Sequence, residues 1–286
     1  MITSVLITLH NKEKYIDFAL NSILSSNTKS IQLIISDDCS SDGSYLIAKN
    51  WIDNHKQLFF SVLLFQQSKN LGINDNINFL LTKATGDFIT FLDADDAFMP
   101  MAIDINKQYL IDHPKIDFLF SNHVLIDELN DINDWRYVRP ARELVIKCKF
   151  FIVLDVVFNW GIPWSKVFAR RDSFNKLGSL PREISYNDRW TGFKILQVGK
   201  YAYFNNISFQ YRTRFDNSPT PTLSRKQMTD DLLKVELDAL KYSKGVLFIL
   251  LFFYTLPLRL KSKNRFLFSL SKIPKKIIRG LYRSII

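Results

Sequence analysis

"GDFITFLDADD", residues 86–96, is the stretch from which the fold can be read. A short apolar run ends in three carboxylates within four positions, Asp93, Asp95 and Asp96. A run of this length, rich in Phe and Ile, fits a strand buried on both faces. Carboxylates this close repel one another, so chain stability alone does not favour them. An acidic tip on a buried strand suits Mg2+ or Mn2+, which take oxygen from one or two carboxylates and from a substrate's phosphates. A solvated acidic turn leading into the next helix is the other reading of the same residues.

The same pattern recurs outward from there. "SVLITL" (4–9) reads as a strand, and "EKYIDFALNSILSS" (13–26) as a helix with Tyr15, Ile16, Ala19, Leu20, Ile23 and Leu24 at helical spacing. "IQLIISDD" (31–38) is a second strand, "SSDGSYLIAKNWIDNH" (40–55) a capped helix, "LFFSVLLFQ" (58–66) a third strand and "NINFLLTKA" (76–84) a helix. The alternation predicts an α/β, Rossmann-like, mainly parallel sheet flanked by helices. Ligands of such sheets bind beyond the carboxyl ends of the strands. The predicted rim is therefore Thr8, Asp37–Asp38 and Asp93–Asp96. Beyond residue 100 the alternation weakens. Residues 101–114 read as a helix, 115–127 as a strand, 185–199 as a capped helix, and "KYAYFNNISFQYRTRF" (200–215) as a strand pair or a strand plus loop.

Asp37 and Asp38 suit hydrogen bonds from a nucleotide's base or ribose. They equally suit a cap on the helix near Ser44, a task open to Asp42 as well. Asp188 in "SYNDRW" (185–190) is either a general base or an acid favoured by a helix N-terminus. Arg212 and Arg214 in "YRTRFDNSPTPTLS" (211–224) suit phosphate, or are ordinary surface arginines.

Three ordered segments, "VLITLHNKEKYIDFALNSIL", "LIISDDCSSDGS" and "NLGINDNINFLLTKATGDFITFLDADD", resemble the N-terminal half of inverting family 2 glycosyltransferases with the GT-A fold. The match is strong over about residues 3–100 and looser over 100–220. The resemblance implies that Thr8, Asp38 and His10 line the nucleotide-base site. Asp93 would face the ribose or donor sugar, Asp95 would bind the metal, and Asp96 would support metal or donor. It further implies that Asp188 is the catalytic base, and that Arg212 and Arg214 lie on a loop closing over the diphosphate. The chain departs from the family pattern at His10, where Tyr is usual, at Ile77, where Arg often precedes Asn78, and at Asn187, where Glu is common. It lacks a QxxRW motif and long transmembrane spans, against a processive synthase. The absence of a Gly-rich phosphate loop after the first strand weighs against a nucleotidyltransferase of related fold. A catalytically silent scaffold is the remaining alternative.

The 286 residues suffice for a large catalytic domain, expected over 1–225 with a nucleotide-sugar half (1–100) and an acceptor half (101–225), plus an appendage, 226–286. Two cysteines, Cys39 and Cys148, give no disulfide framework, and the N-terminus lacks a secretory pattern, so a cytoplasmic location is expected. The net charge of +10 is confined to the end: residues 239–286 hold 11 Lys and Arg and no Asp or Glu, leaving 27 basic against 28 acidic residues elsewhere. The apolar run within "GVLFILLFFYTLP" (245–257) is 11 residues, too short for a span of about 20. The tail is expected to be helical and to lie on the anionic inner face of the cytoplasmic membrane, or to pack on the catalytic domain. No nucleic-acid-binding module accompanies the charge, so nucleic acid is not an expected partner. Membrane attachment suggests a glycan or lipid-linked acceptor, in capsule, O-antigen or lipooligosaccharide synthesis. Trp160 and Trp164 would stack on acceptor sugars, or are core aromatics.

Overall fold

The computed structural model describes residues 1–134, 167–213, 225–245 and 249. They fall into two compact units: residues 1–134, 167–182 and 199–213 in the first, and 183–198 with the described residues from 225 on in the second.

The first unit is built around β1 (Thr3–Leu9), in which every residue but Thr8 is buried. Such two-sided burial needs neighbours on both edges and covers on both faces. The edges are β2 (Ile31–Asp37) and β4 (Phe88–Asp93), both parallel to β1, and β3 (Ser61–Gln66) pairs parallel to β2. The crossovers carry α1 (Ile16–Ile23), α2 (Ser44–His55) and α3 (Ile73–Lys83). The α1 face at Ile16, Ala19, Leu20 and Ile23 is wholly buried, as its spacing predicts. The strand order β3-β2-β1-β4 reverses direction at β1. The crevice between the ends of β1 and β4 is thus the topological switch point, where this class of sheet binds ligands.

Gly86, just before β4, sets the approach of that strand to β1. A Cβ there would lie 2.8 Å from the Ile2 carbonyl oxygen and from the Ser4 backbone nitrogen, so only glycine fits. Its N–H donates to Ser4 Oγ at 2.9 Å, and Ser4 Oγ in turn donates to Gln32 Oε1 at 2.6 Å, linking β4, β1 and β2 below the core. The core joins Ile7, Leu20, Ile35, Trp51, Leu92, Phe168 and Phe209.

Past Asp93 come β5 (Ala97–Phe98), α4 (Ala102–Asp112), β6 (Phe118–Ile126), β7 (Ile132–Asp134), β8 (Val167–Arg170), α5 (Arg171–Asn175) and β9 (Tyr201–Arg212). The sheet continues β4-β8-β6-β9-β5, with β7 on β6. Here β8 is antiparallel to both β4 and β6, while β9 is parallel to β6. Residues 201–212 form one strand, not a strand pair. Its register against β6 shifts at Asn122, where the pairing jumps from Phe204 to Ile207 and then to Phe209.

In the second unit α6 (Asn187–Val198) packs on α7 (Arg225–Tyr242). Arg189 and Glu236, each 2% exposed, pair at 2.9 Å, and Trp190 Nε1 donates to Asp238 Oδ2 at 3.2 Å. Among the described residues no helix is long and apolar enough to cross a membrane. The tail beyond Gly245 lies outside the described residues except Ile249, and Trp135, Trp160, Trp164 and Cys148 lie outside them too.

Candidate functional site

The register of the parallel strands assembles the rim. Thr8 stands opposite Ser36 of β2 on one side and opposite Asp93 of β4 on the other. A cleft of about 370 Å3 opens there, lined by Thr8, His10, Lys12, Asp38, Asp93 and Asp95 and on its far side by Asn70, Gly72 and Asn76. Four of the predicted donor residues, Thr8, His10, Asp38 and Asp93, share one cavity with the predicted metal ligand Asp95, whereas Arg212, Arg214 and Asp96 are not among its lining residues.

Asp38 is buried. Its Oδ1 accepts the Leu71 N–H at 2.7 Å and its Oδ2 the Gly72 N–H at 3.0 Å. It therefore ties the end of β2 to the loop that starts α3. Gly72 has φ +82, a left-handed backbone that favours glycine. Neither Asp37 nor Asp38 caps α2. Asp37 holds Ser40, while Asp42 accepts the Ser44 N–H at 3.0 Å and the Glu13 N–H at 3.2 Å. Burial works against the Asp42 charge, but the hydrogen bonds from Ser44 and Glu13 outweigh it and hold this carboxyl below its ordinary value of 3.8. His10 is exposed at the lip, and the side-chain amides of Asn11 and Asn70 donate to its Nε2 at 3.3 Å each.

The three acids of the opening motif divide. Asp93 and Asp95 face the cleft, and Asp96 is buried. Asp96 N–H donates to Asp93 O at 2.9 Å, closing a turn, and Asp96 Oδ1 accepts the Arg212 N–H at 2.8 Å. Arg212, at the end of β9, is itself buried. Its Nε donates to the Asp95 carbonyl at 2.8 Å, its other nitrogens reach Asp127 O and Asn130 Oδ1, and its guanidinium lies 4.4 Å from the Tyr15 ring centre. Arg214 lies outside the described residues. Asp188, half-buried, is in the first turn of α6, in the second unit.

Three contributors escaped sequence reasoning. Lys12 Nζ is ion-paired with Asp95 Oδ2. Asn70 lines the cleft and donates to His10. Asn76 donates to Ser36 O at 3.1 Å, while its Oδ1 is buried with no hydrogen-bond partner among the described residues. A basic residue three positions past the end of a buried strand was the available signal for Lys12.

No group of three or more His, Cys, Asp or Glu among the described residues could cage a metal unaided. The oxygen donors Asp93 and Asp95, with an ammonium drawn onto Asp95, fit a hard divalent cation whose remaining ligands are water and a substrate's phosphates.

The model of the family described as "Glycosyl transferase family 2" matches residues 4–178. The chain belongs to glycosyl transferase family 2. That span of family 2 sequence contains every rim residue named above. The chain is 31% identical over 105 residues to a Campylobacter jejuni protein named GalNAc(5)-diNAcBac-PP-undecaprenol beta-1,3-glucosyltransferase, covering 37% of this chain and 33% of that one. It spans about half the length of the first curated relatives it matches. Among solved structures, Staphylococcus aureus TarS 1-349 in complex with UDP-GlcNAc superposes with a TM-score of 0.68 at 15% identity, over 100% of this chain and 82% of that one. A mannosyltransferase from Pyrobaculum calidifontis, in complex with GDP-Man and Mn2+, gives 0.61 at 14% identity over 99% and 84%. At such identities the likeness is one of fold, and it is the GT-A fold expected from the motifs.

Proposed function

We propose that the chain is a metal-dependent, inverting glycosyltransferase that moves a sugar, of the hexosyl or N-acetylhexosaminyl class, from a UDP-sugar to a hydroxyl of a glycan or lipid-linked acceptor. The observation that carries this reading is the convergence of Thr8, Asp38, Asp93 and Asp95 on one cleft at the switch point of the sheet. Thr8, His10 and the Asp38 corner would seat the nucleoside, with Asn76 Oδ1 an available acceptor. Asp93 would face the ribose or donor sugar. Asp95, supported by the Asp96 turn, would hold Mn2+ or Mg2+, which when bound offsets charge on the leaving diphosphate. Asp188 would take the proton from the acceptor hydroxyl as that oxygen attacks the anomeric carbon from the face opposite the departing diphosphate. This assignment rests on the likeness of Asn187–Asp188 to the family's acidic pair. Arg212 and Arg214 would act at the diphosphate, Arg214 directly and Arg212 through the acidic turn it holds. The basic tail would keep the enzyme on the inner face of the cytoplasmic membrane, where lipid-linked acceptors of surface-polysaccharide synthesis are found.

The test is binding and slow hydrolysis of a panel of nucleotide sugars with Mn2+ or Mg2+, on wild type and Asp95→Ala. One nucleotide sugar is expected to bind with metal and to lose at least about tenfold in affinity in Asp95→Ala, about 1.4 kcal/mol. If none binds with or without metal, the transferase reading fails and a silent scaffold takes its place.

A further inference from the structure

Lys12 holds the position at which a cation would meet Asp95. Its backbone is anchored away from the cleft: the Lys12 N–H donates to Ser44 Oγ at 2.7 Å, and its carbonyl accepts from Tyr15 and Ile16 at 2.9 and 3.0 Å. The neighbouring Asn11 N–H donates to Ser40 Oγ at 3.0 Å, and Asn11 Oδ1 accepts the Ser41 N–H at 2.9 Å. The root of the side chain is therefore fixed to the loop after β2, while the stem crosses to the end of β4. Both partners are largely withdrawn from water, at 18% and 17% side-chain exposure. An ion pair in that setting is not a screened surface contact.

We propose that Lys12 competes with the divalent cation for Asp95, so that metal binds tightly only together with the donor's diphosphate. This inference rests on the metal site proposed above. Paired with Lys12, the Asp95 charge is already balanced. A metal entering alone would break the pair and leave an ammonium beside a second positive centre in a confined space. A diphosphate removes that penalty, because it gives the flexible ammonium a new anionic partner and shares its oxygens with the metal. Metal and nucleotide then raise each other's affinity by the same factor, as linkage requires. Lys12 has a positioning role: it sets the coupling between the two ligands.

The measurement is Mn2+ binding by electron paramagnetic resonance, with and without saturating UDP, corrected for UDP alone. It is made on wild type, Lys12→Met, Lys12→Gln, Lys12→Arg and Asp95→Asn. Wild type is expected to bind Mn2+ weakly alone and at least about tenfold more tightly with UDP. Lys12→Met and Lys12→Gln should bind Mn2+ alone about tenfold more tightly than wild type, with the gain from UDP reduced to match. Lys12→Arg should resemble wild type, and Asp95→Asn should bind no Mn2+ tightly under either condition. If both neutral variants bind Mn2+ as wild type does while Asp95→Asn loses it, the competition is overturned and the metal site stands. If UDP binds and Mn2+ does not, in any of the proteins, the metal site itself is overturned and this inference falls with it.

Discussion

At the scale of residues, the acidic motif is held in shape by groups far away in sequence. Arg212 spends its fork on Asp95 O, Asp127 O and Asn130 Oδ1 while its backbone N–H holds Asp96. Arg212→Ala takes the donors from those acceptors and empties a buried side-chain site, and should lower unfolding stability by about 2–4 kcal/mol, read from the urea midpoint. Arg212→Lys keeps the charge without the fork and should recover less than half of that loss. Asp38→Asn turns an amide N–H2 toward one of two N–H donors, at Leu71 or Gly72. It should cost about 1–3 kcal/mol and weaken nucleotide binding in isothermal titration. Thr8, Asp38, Asp93 and Asp95 were legible because each ends an apolar run. Lys12 was not, and Arg212 was read as a phosphate candidate without its hold on the acidic turn, because Lys12 meets Asp95 across 83 residues and Arg212 meets Asp96 across 116.

At the scale of elements, β1 to β4 and their helices follow from short-range pattern, since each strand is a short, mostly apolar run closed by polar residues. The later strands do not. β8 has four residues, and its antiparallel place between β4 and β6 is fixed only by tertiary pairing. Residues 200–215 read as a strand pair or a strand plus loop, and β9 is one strand whose register against β6 shifts opposite Asn122. The start of α2 gives a pH prediction. Asp42 titrates below its ordinary 3.8 in the folded protein, so its contribution is complete above that value and is lost as pH falls through the lower folded value. The stability difference between wild type and Asp42→Asn should therefore shrink as pH drops below 3.8, in denaturant melts run across that range. Gly86→Ala should destabilise by at least about 2 kcal/mol, because its Cβ meets backbone rather than a movable side chain.

At the scale of the whole molecule, charge separates the tail from the rest. Replacing Lys275 and Lys276 by Gln should lower partition onto anionic vesicles, each lost charge removing about 1 kcal/mol, while UDP binding is unchanged. Flotation at low and high salt checks it. Charge asymmetry and hydrophobic length made that region visible from composition, whereas its structure lies outside the described residues. The double pairing of β1 has a consequence for how such a chain can diverge. Thr8 faces Ser36 and Asp93 at once, so deleting or inserting one residue in β1 would misplace the rim against two neighbours and turn its inward side chains outward. Copying errors of that kind are not repairable by a single compensating change. Lineages can therefore vary the segments past the strand tips in length and chemistry, while the strands below them change only by substitution. New sugars and acceptors would be won at the rim, over a ruler whose spacing is inherited unaltered.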